Sequence, residues 1–239
     1  MKRKLSKLIL SKAPRAIKAA SENSSKIVIV AMEDGDCPEL LIMDSIGQDY
    51  WGDGMPASEV VNFMGRNKGQ DVHVRVNSYG GDAYEGLVMH NAFAQHDANV
   101  TASIEGIAYS AATIAVGGCD HIRMYQRSDF GIHRAWSLAR GNRNAMQASM
   151  EWLDSVDEHQ IGIFGDKTGE SREKIIEWLE GTDDGTIFNA KDALAAGFCD
   201  EIITPKKDDS TDASKKNRKK ASKRIAAAMR HKRALAGQK

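Results

Sequence analysis

A chain of 239 residues, 41% hydrophobic and 28% charged, can bury one sizeable core, and this composition excludes a wholly disordered polymer. No run approaches the roughly 18 uninterrupted apolar residues of a membrane-spanning helix. Near the N-terminus only Leu8, Ile9 and Leu10 stand where a secretory signal has a longer apolar stretch, so neither membrane insertion nor export is expected. Cys37, Cys119 and Cys199 are odd in number and widely spaced, which suits neither a disulfide framework nor a zinc-ligand cluster and points to a reducing compartment.

The formal net charge of zero conceals three segments of different character. Residues 1–26 carry eight Lys/Arg and one Glu, a net +7, and residues 205–239 carry thirteen Lys/Arg and three Asp, a net +10. Residues 27–204 hold twelve basic against twenty-nine acidic side chains, a net −17. The sequence therefore divides into a basic N-terminal arm (1–26), an acidic globular domain (27–204) and a basic C-terminal tail (205–239). Both ends are expected to lie outside the fold. Blocks of like charge suit contact with a polyanion or an acidic protein surface, and equally suit solvated, flexible ends; residues 226–228, three alanines, allow the tail to become helical on a partner.

Within the domain, strand and helix patterns alternate. Residues 27–30 and 40–43 read as buried strands, and Val60, Val61, Phe63 and Met64 fall in a short helical stretch. Val72, Val74 and Val76 alternate with His73 and Arg75, a half-buried strand that runs directly into Asn77-Ser78-Tyr79-Gly80-Gly81. Leu87, Val88, Asn91 and Ala92 have helical spacing. Residues 100–104 predict a strand, 110–116 a helix of small residues, and 122–125 and 131–133 two short strands. Helices follow over 146–164, 172–179 and 190–196, then a strand over 201–203. Strand, crossover helix and strand in succession predict an α/β domain with parallel strands.

Two strand-to-helix junctions carry chemistry. Gly80 and Gly81 permit positive φ and bare backbone N–H groups ahead of a helix, which suits either an oxyanion site or a tight turn. Ser110 precedes a helix of very small residues, the place of an ordinary N-cap and also of a nucleophile whose Oγ a sharp turn exposes. His133, 23 residues later at the end of a short apolar strand, is a candidate base.

Taken together, Asn77-Ser-Tyr-Gly-Gly, Gly106-x-Ala108-x-Ser110-Ala111-Ala112, Gly131-Ile132-His133, Thr182-Asp183-Asp184 before Phe188-Asn189-Ala190, and the closing segment from Ala193 to Asp200 resemble the Clp-type serine peptidases in order and spacing. The resemblance covers residues 27–203 and is strongest to the phage and prophage head maturation proteases. It implies the ClpP/crotonase-like α/β fold, built of β-β-α repeats with parallel strands and crossover helices. It also implies a serine endopeptidase that forms a homo-oligomeric ring and cleaves capsid or scaffold protein inside assembling procapsids in the host cytoplasm. No cofactor and no metal are implied.

Residue by residue, the resemblance makes Ser110 the nucleophile and His133 the base and then the acid. Asp183, with Asp184 as the alternative, orients the imidazole; Gly80 and Ala111 supply the oxyanion-hole N–H groups and Gly81 contacts substrate. Three departures stand out. Tyr79 replaces the usual proline before the glycine pair, Tyr109 stands where a smaller residue is common, and Gly185 occupies the position that the bacterial housekeeping enzymes would use for the acid. Two other readings fit the same fold: a crotonase-like acyl-CoA enzyme that needs no serine, and a catalytically inactive platform for capsid assembly. No lysine is placed near the His133 segment for a serine–lysine dyad.

Overall fold

The computed structural model describes residues 37–47, 54–182 and 185–204. The basic arm, the strand expected over 27–30, the carboxylates Asp183 and Asp184, and the basic tail lie outside the described residues.

The elements follow the chain as β1 (Glu39–Ile42), α1 (Ala57–Arg66), β2 (Val72–Ser78), α2 (Ala83–Ala94), β3 (Val100–Tyr109), α3 (Ala111–Val116), β4 (His121–Tyr125), β5 (Asp129–Ile132), α4 (Arg143–Thr168), α5 (Arg172–Glu180), β6 (Thr186–Asn189), α6 (Ala190–Ala195) and β7 (Glu201–Ile203). Strands β1, β2, β3, β4 and β7 lie side by side in that order, all parallel. Val72, Val74 and Val76 are at most 1% exposed, so the alternation read in the sequence is the pleat of β2. Helices begin where the sequence supplies caps: Asp82 accepts from Tyr84 N and Glu85 N ahead of α2, Ser171 from Lys174 N ahead of α5, and Asn189 from Lys191 N and Asp192 N ahead of α6.

β3 is ten residues long, twice the expected span, because it serves two partners. Thr101–Ile104 pairs with β4, and Ile107–Tyr109 pairs with β5, so the sheet forks along one strand. The register against β2 slips between Val76 and Ser78, where a bulge adds residues to β3. Asn77 fills this bulge: its Oδ1 accepts from Ile107 N at 3.2 Å. A Cβ on Gly106 would collide with the same oxygen, which explains the glycine there.

The second arm of the fork departs from the all-parallel expectation. β6 pairs antiparallel to β5, with Phe188 opposite Phe130. Behind it, Phe198 packs against Phe130 (4.8 Å between ring centres), Phe188 (5.0 Å), Trp178 (5.5 Å) and Phe164 (5.6 Å). One aromatic side chain from the closing segment thus joins β5, β6, α4 and α5 in a single core. α4 is the longest helix described, about 39 Å at 1.5 Å per residue. Its buried residues begin only at Val156; before that, Met150 and Trp152 are exposed.

Candidate active site

Ser110 ends β3 with φ 53° and ψ −128°, the only non-glycine residue at positive φ among the described residues. Such a conformation costs about 1–3 kcal/mol and persists only where neighbours impose it. They do so here from both sides. Ser110 N–H donates to Gly131 O at 2.9 Å, while Ser110 O accepts from Thr113 N at 2.8 Å and from the fully buried Thr113 hydroxyl at 2.6 Å. The result is a sharp strand-to-helix elbow that holds the half-buried Ser110 at the mouth of two cavities, with Oγ free of hydrogen-bond partners among the described residues. Ala111 N–H, in the first turn of α3, lies outside the helix ladder and can donate elsewhere.

The glycine pair packs directly on this elbow. A Cβ on Gly80 (φ +92°) would meet Tyr109 O at 2.5 Å, Ser110 Cβ at 2.7 Å and Ala111 N at 2.8 Å. Ile46 clamps the pair, donating from its N–H to Gly80 O at 2.8 Å and accepting from Asp82 N at 2.9 Å. Gly80 N–H itself donates to Ser78 Oγ at 3.1 Å, and that hydroxyl donates to Asp44 O at 2.6 Å. Of the two expected oxyanion donors, Ala111 N–H is therefore open and Gly80 N–H must exchange a neutral acceptor for the anion, which is the stronger acceptor.

His133 follows β5 and lines both cavities with Ser110. Its Nδ1 lies 2.6 Å from Arg134 O. A carbonyl oxygen only accepts, so Nδ1 carries the hydrogen and Nε2 presents a lone pair, the tautomer that a general base needs. Asp183 and Asp184 lie outside the described residues, so the expected carboxylate is not placed. The residues flanking them are: Thr182 and Gly185 line the second cavity with His133, and a Cβ on Gly185 would lie 2.6 Å from His133 Cβ.

A polar network absent from the sequence reading seats the His133 segment. Asp157 of α4, 6% exposed, accepts from Arg134 Nη1 at 2.9 Å, Ala135 N at 2.7 Å and Gln160 Nε2 at 3.2 Å. Arg134 also pairs with Glu180 at 2.7 Å, and these two carboxylates raise its pKa further, Glu180 first. The signal was present in register, since Asp157 and Gln160 share the helix face of Val156, Ile161 and Phe164.

The cavity toward α4, about 480 Å³, is bordered by Tyr79, Gly80, Gly81, Trp136, Trp152 and Gln160 among others. The other, about 420 Å³, lies on the β5–β6 side beside Tyr109, Ile132 and Ile187. Tyr79 and Tyr109 meet edge to face at 5.9 Å on the rim, so the two departures from the family pattern occupy one wall. None of the three cysteines offers an activated thiol. Burial raises the thiol pKa of all three, Cys199 up to about 11, and so disfavours the thiolate. Among the described residues there is no cluster of three metal-ligating side chains and no helix long and apolar enough to cross a membrane.

The family profile described as Clp protease matches residues 57–206. An ATP-dependent Clp protease proteolytic subunit of Bacteroides fragilis is 25% identical over 140 residues, 58% of this chain and 66% of the relative. An ATP-dependent Clp protease proteolytic subunit 2 of Chlamydia pneumoniae is 23% identical over 159 residues, 66% of this chain and 77% of the relative. The chain thus spans just under two thirds of the length of the Bacteroides relative. Among solved structures, a point mutant of ClpP1 from Listeria monocytogenes superimposes with a TM-score of 0.59 at 17% identity, covering 70% of this chain and 92% of the other, which establishes the shared fold.

Proposed function

Since this chain belongs to the Clp protease family, we propose that it is a serine endopeptidase in which Ser110 attacks the scissile carbonyl. His133 Nε2 takes the hydroxyl proton and returns it to the leaving amine, and Asp183 steadies the imidazolium. Ala111 N–H and Gly80 N–H receive the oxyanion. The observation that supports this most directly is the forced positive φ of Ser110, a strain with no structural purpose in an ordinary N-cap. The same observation counts against a crotonase-like reading, which needs the N–H pair and no strained serine.

The substrate reading is finer. We infer cleavage of capsid or scaffold protein during phage head assembly, by a homo-oligomeric ring, from the sequence resemblance to head maturation proteases. Basic ends tethered to each protomer stand at high effective concentration near neighbouring sites, so self-processing within residues 1–26, 206–239 or both belongs to this reading.

Intact mass before and after exposure to a fluorophosphonate tests the nucleophile. The wild type gains one adduct and Ser110→Ala gains none, with peptidase activity of the variant reduced at least about 1,000-fold, as for loss of a triad nucleophile. Terminal trimming seen only in the wild type adds self-processing; Ser110→Ala that still completes normal heads would favour the inactive platform instead.

A further inference from the structure

We propose, resting on the serine peptidase reading, that Gln160 makes the cavity toward α4 a receptor for a long substrate side chain ending in an amide donor, glutamine foremost, on the residue that supplies the scissile carbonyl.

Gln160 is 3% exposed yet borders the same cavity as Ser110 and His133. Its amide orientation follows from its partner. Asp157 is paired with the Arg134 guanidinium at 2.9 Å, and a carboxylate so paired only accepts. The NH2 of Gln160 therefore faces Asp157 at 3.2 Å and Oε1 faces away. Oε1 has no hydrogen-bond partner among the described residues, and it is not fully enclosed: Arg123 Nε is the one partnerless side-chain atom of that kind among them. A nearly buried acceptor with open space before it and no donor is a specificity element.

The surrounding walls define what it receives. Ile114, Val156, Trp136 and Trp152 are apolar and suit methylene groups, and Asp82 at the rim already accepts from Tyr84 N and Glu85 N. A primary amide donates to Oε1 and completes the site. An aliphatic side chain strips water from Oε1 and returns no donor, and a carboxylate opposes both its lone pairs and the Asp82 carboxylate at the rim. The location favours the acyl side of the bond, because this cavity adjoins the Gly80–Gly81 turn. The departing amine then leaves along the other flank of Ser110, beside Gly131, where His133, which borders both cavities, can return its proton.

The test is digestion of a proteome-derived peptide library by the full chain, with the residue before each cut read by mass spectrometry, and fluorophosphonate labelling of Ser110 run in parallel. The wild type is expected to enrich glutamine before the cut about tenfold over methionine and leucine. Gln160→Met, close in volume, is expected to invert that order while Ser110 still labels. Equal or better cutting after methionine and leucine by the wild type overturns the proposal, as does an unchanged preference in Gln160→Met. If that variant fails to fold, the wild-type ranking decides alone. A wild type that neither labels nor cuts removes the peptidase reading first and this inference with it.

Discussion

Ser110 and His133 are presented by two kinds of scaffold. Ser110 is fixed through its backbone: an elbow at positive φ, a main-chain N–H that donates to Gly131 O, a carbonyl that accepts from the N–H and hydroxyl of Thr113, and glycines packed too closely for any Cβ. His133 is seated mainly by side chains, through Arg134, Asp157 and Glu180, beside one backbone bond from Arg134 N–H to Leu179 O, at the start of a segment where Trp136 and Leu138 stand 70% and 92% exposed. A backbone-built seat tolerates few substitutions and moves little. A seat built from one buried carboxylate and a half-exposed guanidinium can be loosened without unfolding the sheet, so the proposed base is easier to displace than the proposed nucleophile.

The largest effect should come from the backbone side. Gly80→Ala places a methyl 2.5 Å from Tyr109 O and 2.8 Å from Ala111 N, at a φ of +92° that alanine avoids. Both the elbow and the proposed oxyanion donors must shift, and removal of one such donor typically costs 100- to 1,000-fold in rate. The expected outcome is a loss of at least about 100-fold in the rate of fluorophosphonate labelling, measured on protein whose circular dichroism is native. Labelling at the wild-type rate would break the contrast, because the elbow would then be pliable.

Asp157→Ala probes the other seat. It leaves Ala135 N–H, Arg134 and the Gln160 amide without their shared acceptor, but Arg134 keeps Glu180 and is partly solvated, so the stability loss belongs at roughly 1–3 kcal/mol, below that of a fully buried pair. Activity should fall about tenfold through a displaced His133, short of the roughly 100- to 10,000-fold that a general base contributes because the imidazole itself is retained. Asp157→Asn, which retains an acceptor for Ala135 N–H, should recover part of both losses. If Asp157→Ala costs stability and spares activity, the network supports the fold and does not position the base.

Much of this was legible because glycine, serine and valine report local geometry. The alternation of Val72, Val74 and Val76 gave β2, and Gly80, Gly81 and Ser110 marked the two junctions that the fold brings into contact. What escaped was set by tertiary partners. β3 runs on to Tyr109 because β5 offers it a second edge, and β6 is a strand because Phe188 meets Phe130; neither property resides in the segments themselves. Asp157 and Gln160 do not stand out in the sequence because the pattern of α4 is polar overall; they share the face of Val156, Ile161 and Phe164, and Asp157 gains its partner Ala135 N–H only from the loop returning from His133.

The smallest expected effect concerns acid. His90 of α2 holds Ile114 O through Nδ1 at 3.2 Å, bracing the helix that follows Ser110, and burial holds its pKa below the ordinary value against the opposing pull of Ile114 O and Asp166. The unfolded chain accepts a proton on this side chain near pH 6.5, whereas the folded chain does so only at lower pH. Between those two values the unfolded state binds more protons, so stability is full above about pH 6.5 and declines as pH falls through the folded pKa. Thermal unfolding should therefore show a shallow acid-side loss that His90→Gln, which keeps a donor for Ile114 O, flattens. An equal acid slope in His90→Gln would assign the loss to other groups.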